Sequence, residues 1–297
     1  MENKDILNAL QNYEMTFGTA ENIFNGGLLT DAERDFVMRD SNAFLFGLIA
    51  DQSVKAETAW SLPYKLAQRL GHFSMQKIAK ESSSEEIGTL LRTKPALHRY
   101  PGNMGRYLWS AAERLTSEYD GCAENIWGNV TAMEIVERLE AFSGISHKKA
   151  SLACLLLWRD LGVEISDKEN IDIAYDVHIR RIFLRAGFCE KDTLKDVTEA
   201  ARRLNPKFPG YLTSPFWALG RNSAGRRSHC ADNVRYDPFA HGVWIKLKIS
   251  VLEFCTVRKA GDSANRFADS GEREHKIKNY GARGYRSFFY IQGFNAF

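Results

Sequence analysis

Phe142-Ser143-Gly144-Ile145-Ser146-His147-Lys148-Lys149-Ala150 is the stretch whose reading decides the fold. Upstream, Thr131 and Glu134 have the spacing of a capping box, which predicts a helix over 132–142. Downstream, apolar residues recur at helical spacing from His147 to Leu161, and Gly162 closes the run. Gly144 supplies the positive-φ freedom that a turn from Ser143 to Ser146 needs. The pattern is helix, tight turn, helix. Lys148 falls in the first turn of the second helix, where the positive end of the dipole disfavours an ammonium. A neutral lysine amine is a nucleophile. The stretch Ile173-Ala174-Tyr175-Asp176-Val177-His178-Ile179 begins another helix, over 177–186, with Asp176 as its N-cap. An ionised Asp176 can accept a proton or stabilise a positive charge that develops during reaction. Taken singly, such a turn and such a cap are common structural features; their order on one helical chain is what gives them weight.

The rest of the chain is also helical in pattern. Asp31 or Asp40-Ser41 can cap helices, and Ala43 to Ile49 reads as a buried segment. Lys55 to Leu70 repeats close to every 3.6 residues, with Pro63 as a kink or boundary. Short helices are expected over 74–80 and 84–91, a loop over 93–105, and helices over 106–119 and 194–204. No strand-rich region precedes residue 240, so the body is all-α. Residues 236–297 carry ten Lys/Arg against six Asp/Glu and rich Gly, Tyr and Phe; their structure is left unassigned.

A chain of 297 residues with 44% hydrophobic content can bury a substantial core. A net charge of +3 does not announce a nucleic-acid protein, so any anion-binding surface is a local patch. The five cysteines form no CxxC pair, and the seven histidines show no metal-ligand spacing. The apolar run Phe44 to Ala50 is too short to cross a bilayer. The N-terminal residues lack a signal-peptide pattern, which predicts a reducing, cytoplasmic setting.

Phe142 to Ala150 resembles, in register, the hairpin Leu-Pro-Gly-Val-Gly-Arg-Lys-Thr-Ala of the endonuclease III family, within the helix-hairpin-helix DNA glycosylases. Tyr175-Asp176-Val177-His178-Ile179-Arg180-Arg181-Ile182 is similar to that family's Val-Asp-Thr-His-Ile/Val-x-Arg-Val segment. The resemblance covers roughly residues 40–235. It implies an all-α, two-lobed fold, with one lobe over 40–165 that holds the hairpin (132–161). A second lobe would comprise 1–39 and 166–235 and carry Asp176. It implies a base-excision enzyme with AP lyase activity, acting on a damaged base flipped out of duplex DNA, with Lys148 and Asp176 as the catalytic pair. In Ile49-Ala50-Asp51-Gln52-Ser53, Gln52 matches the residue that fills the gap left by the flipped base. A second wedge is expected from Leu97, His98 or Tyr100. The backbone of Gly144, Ile145, Ser146 and His147 would hold phosphate, and Lys149, about 100° around the helix from Lys148, would face phosphate or solvent. A monomer is expected, with damaged double-stranded DNA as partner and no membrane.

Departures from the family pattern carry their own expectations. Ser146 replaces the second hairpin glycine, and Ser143 the proline. The chain is longer than usual around 164–170. After Gly220-Arg221, of the positions where an iron–sulfur loop would have four cysteines, Cys230 alone is a cysteine. No cluster, and no other cofactor or metal, is expected; Arg221, Arg226 and Arg227 could still bind phosphate. Two other readings stay open: a non-catalytic hairpin module that binds DNA, and a glycosylase without lyase activity.

Overall fold

The computed structural model describes residues 3–17, 24 and 27–223. The described elements are helical: α1 (Asn3–Phe17), α2 (Asp31–Arg39), α3 (Ser41–Ala50), α4 (Ala56–Leu70), α5 (Met75–Glu81), α6 (Ser84–Arg92), α7 (Pro101–Glu118), α8 (Glu124–Trp127), α9 (Ala132–Glu140), α10 (His147–Asp160), α11 (Val177–Arg185), α12 (Leu194–Leu204) and α13 (Thr213–Ser223). The expectations placed on Cys230, Arg226, Arg227, the side chain of Arg221 and residues 236–297 lie outside the described residues. Among the described residues, no helix is long and apolar enough to cross a membrane.

Two apolar cores organise the chain. The first is built on α3, whose residues Ala43 to Ala50 are all buried. A helix that is apolar all round has no solvent face and must sit inside. Asp40 starts it, accepting from the amides of Asn42 and Ala43. Around it pack Trp60 of α4, Leu108 and Leu115 of α7, and Ala153 and Leu157 of α10. The second core gathers Ile6 and Leu10 of α1, Ile179, Ile182 and Phe183 of α11, Val197 and Ala201 of α12, and Phe216 of α13. Phe183, Phe188 and Phe216 meet edge to face, with centroids 5.0–6.0 Å apart. Fully burying one such side chain contributes roughly 1.5–3 kcal/mol.

Two expectations are corrected. Residues 1–39 do not stay together: α1 packs in the second core, but α2 packs on α3 and α4, with Val37 in the first core. Thr30 and Glu33 form the capping box that starts α2. The expected loop over 93–105 ends early, because α7 begins at Pro101. Proline's fixed φ and missing donor suit the first position of a helix. Gly105 is needed there for contact rather than for a turn: a Cβ would meet Gly88 N and Ser84 O, both at 2.6 Å. The helix expected over 55–70 is α4; of the two readings of Pro63 the boundary is excluded, because α4 runs through it to Leu70. The hairpin is as read, with the capping box of Thr131 and Glu134 at the start of α9.

The two cores meet through α10 and the segment after it. Arg159 Nη1 donates to Ser214 Oγ at 2.8 Å, and Trp158 packs on Phe208 with centroids 4.8 Å apart. Gly210 N donates to Ile171 O at 2.7 Å, and Ala174 N to Thr213 Oγ1 at 3.0 Å. Arg202 forks onto Asp172 at 2.8 and 3.1 Å. These bonds fix the chain on both sides of the step from Ile173 to Asp176.

Candidate active site

The hairpin and the Asp176 segment approach each other at one point. Lys148 Nζ donates to Asp176 Oδ2 at 2.7 Å, joining the first turn of α10 to the N-cap of α11. The other carboxylate oxygen, Oδ1, accepts from His178 N at 2.8 Å, so Asp176 caps α11 as expected. The Asp176 side chain is 9% exposed and that of Lys148 25%, so the pair is largely, not fully, desolvated. Burial pushes the Asp176 carboxyl upward. The Lys148 charge and hydrogen bond and the His178 amide outweigh it and hold the group below its ordinary value. The carboxylate therefore keeps its charge.

Behind Lys148 lies the C-terminal end of α3. The last carbonyls of a helix lack partners within it, and here side chains from three directions supply them. Ile49 O accepts from Lys149 Nζ at 3.0 Å and from Gln52 Nε2 at 3.2 Å. Ala50 O accepts from Gln52 N at 2.7 Å and meets His98 Nε2 at 3.1 Å. Because His98 Nδ1 accepts from Tyr100 N at 3.1 Å, a neutral ring carries its proton on Nε2 and donates it to Ala50 O. Burial, the largest influence, lowers the His98 pKa and favours that neutral form.

Gly144 ties the turn to this end of α3. Its carbonyl accepts from Lys149 Nζ at 2.9 Å and from Gln52 Nε2 at 2.8 Å. Its φ is +89°, and a Cβ would stand 2.7 Å from Gln52 Nε2 and 2.9 Å from Tyr107 Cδ2. Gly144→Ala is accordingly expected to destabilise the protein by about 1–3 kcal/mol. Denaturant unfolding would show it as a lower midpoint with an unchanged slope.

The sequence-predicted residues divide in this arrangement. Lys148 and Asp176 are brought together. Gln52 docks on the hairpin. Tyr100 is 45% exposed on the loop before α7, with Arg99 over its ring at 5.3 Å. Arg69 pins that loop by donating to Thr93 O at 3.0 Å, to Pro95 O at 2.7 Å and to Leu90 O. Leu97 and His98 are 6% and 3% exposed, so neither is placed as a wedge; the first belongs to the core and the second caps α3. Lys149 is 5% exposed and faces neither phosphate nor solvent, because the 100° step from Lys148 aims it at the end of α3. In the turn, Ile145 N already donates to Phe142 O at 3.1 Å, which withdraws it from phosphate binding. Ser146 is the N-cap of α10 but makes no side-chain capping bond to its amides. His147 Nδ1 meets Glu140 Oε1 at 2.8 Å.

Asp51 is a member of the site that the sequence reading passed over. It is 2% exposed, and its Oδ1 has no hydrogen-bond partner. Burial raises its pKa against the pull of Lys149 and Lys148, and burial lowers that of Lys149. The burial of Asp51 has no separate sequence signature, since Asp51 also reads as a helix-end residue.

No family model matches the chain, and no match to a curated protein reaches significance. Comparison with solved structures does find relatives in shape. A trapped endonuclease III–DNA covalent intermediate, in an estranged-adenine complex, matches with a TM-score of 0.52 at 17% identity. That match covers 77% of this chain and 90% of the other. A non-covalent endonuclease III–DNA complex matches with a TM-score of 0.51 at 18% identity, covering 81% and 94%. The fold is endonuclease III-like. The all-α expectation and the resemblance of the hairpin and Asp176 segments to that family agree with it.

An endonuclease III-like fold raises the question of an iron–sulfur cluster, which needs four thiolates. Of the five cysteines in the chain, Cys122 faces Ser41 Oγ at 3.6 Å, Cys154 packs in the first core and Cys189 in the second. Burial pushes the Cys154 thiol up to about 12, against the ionisation a metal ligand needs. Three of the five cysteines thus lie in separate places, and the residues present do not fit a four-cysteine cluster.

Proposed function

We propose that this protein is a DNA glycosylase with AP lyase activity, acting on a damaged base turned out of duplex DNA. The observation that carries this reading is the 2.7 Å contact of Lys148 Nζ with Asp176 Oδ2, at the start of two helices in an endonuclease III-like fold. A lysine amine beside a carboxylate that keeps its charge can do both parts of the chemistry.

In this account the extruded nucleotide enters between the two side chains. Lys148 Nζ, after giving up a proton to solvent water, attacks C1′ of the sugar. The bond from C1′ to the base breaks, and the base leaves with the bonding electron pair and takes up a proton. Loss of a further proton from the nitrogen and opening of the sugar ring give a Schiff base between Lys148 and C1′. Removal of a proton from C2′ then expels the 3′ phosphate and cuts the strand. The lowered pKa of Asp176 suits electrostatic support of the cationic sugar better than proton acceptance.

The surrounding groups would handle the duplex. Gln52 fills the gap left by the base, and Tyr100 enters from the loop before α7. The backbone of Gly144, Ser146 and His147, next to the start of α10, holds phosphate without reading sequence. Oxidised pyrimidines are the first substrates to test. On a panel of lesion duplexes, borohydride should trap a protein–DNA adduct on at least one lesion and on an abasic site, with strand cleavage in its absence. Base release without a trap would point to a glycosylase lacking lyase activity. Binding without either product would sink the enzymatic reading.

A further inference from the structure

Lys149 and Gln52 hold the same two acceptors. Lys149 Nζ donates to Ile49 O at 3.0 Å and Gly144 O at 2.9 Å; Gln52 Nε2 donates to the same atoms at 3.2 and 2.8 Å. A carbonyl oxygen has two lone pairs, so both donors can be accommodated at once. One acceptor ends α3 and the other lies in the turn before α10, so the doubled contact joins the end of α3 to the hairpin. A buried carbonyl left without a partner is costly. If Gln52 alone held the two carbonyls, its departure into DNA would orphan both.

We propose that Lys149 is a positioning residue for Gln52: by holding the carbonyls of Ile49 and Gly144, it frees Gln52 to leave them and enter the duplex. The inference rests on the reading of Gln52 as the plug of a base-flipping enzyme. The local chemistry fits a lysine at this point. An ammonium has three donors, enough for both carbonyls. It sits at the C-terminal end of α3, where the helix dipole favours a positive charge. Burial lowers the Lys149 pKa, and the carboxyl of Asp51, buried two residues after Ile49, opposes that shift. Gln52 is therefore held in the free protein by bonds that Lys149 duplicates, and its release costs the fold little.

The test is a double-mutant cycle in the full-length protein, read as the ratio of affinities for two duplexes. One carries a tetrahydrofuran abasic analogue and the other is intact. Lys149→Met should lower the preference for the abasic duplex by about tenfold, within the range of coupling between linked sites. Affinity for the intact duplex should not change. Gln52→Ala should lower the preference similarly, and adding Lys149→Met to it should do nothing more. Because Lys149→Met leaves Asp51 without its counter-charge, Asp51→Asn/Lys149→Met is the second variant, with the same expected ratio. A purely structural lysine would instead weaken both duplexes alike, or cut the preference again in the Gln52→Ala background. Either result, or an unchanged preference, overturns the proposal. If the parent protein shows no preference for the abasic duplex, the base-flipping reading itself fails and takes this inference with it.

Discussion

Lys148→Ala is expected to abolish borohydride trapping and to lower base release by about three orders of magnitude or more, the scale seen when a nucleophile is removed. Binding of the abasic duplex should persist. The groups proposed to hold it, the turn around Gly144, Tyr100 and Gln52, do not depend on the Lys148 amine. Lys149→Ala would not mimic this result, because its amine is committed to Ile49 O and Gly144 O and is 5% exposed. Gel-shift titration and single-turnover excision on the same duplex would separate binding from chemistry.

Asp176→Asn should be nearly as damaging to turnover, by about 10²- to 10⁴-fold. Asparagine can still accept from His178 N, so the cap of α11 survives and the negative charge is lost. Asp176→Ala removes both, and should cost about 1 kcal/mol more in stability through the missing cap. The pH dependence has a definite sign. The Asp176 pKa is lowered in the folded protein, so the unfolded chain binds its proton more tightly. Its stabilising contribution is present above the unfolded value, about 4. It is lost as pH falls through the lower, folded value. The stability gap between parent and Asp176→Asn should therefore hold from pH 7 to pH 5 and close in more acidic solution. A gap that instead grew on acidification would mean that the carboxyl is protonated in the folded state.

Features set by local sequence were readable before the structure. Gly144 at a tight turn, the capping box at Thr131 and the cap at Asp176 each depend on neighbours a few residues away. So does the buried run of α3, whose apolar residues leave no polar face. What could not be read was the partner of each polar group across the fold. Helical geometry places Lys149 about 100° from Lys148, but only the position of α3 says that this direction is inward. His98 looks like an exposed loop residue until Ala50 O and Tyr100 N are found on its two nitrogens. Pro101 reads as a loop marker because a helix start and a helix break use the same residue. Residues 1–39 divide between two cores because α2 meets α3 and α4, a choice made by packing between elements.

Lys148 is proposed to form the covalent bond to the sugar. Borohydride reduction on an abasic duplex, followed by nuclease and protease digestion and mass spectrometry, tests it at single-residue resolution. The expected product is a peptide bearing the sugar remnant on Lys148, absent when Lys148 is replaced. A remnant on Lys149 or at the N-terminus, or an adduct of equal yield in Lys148→Ala, would contradict it.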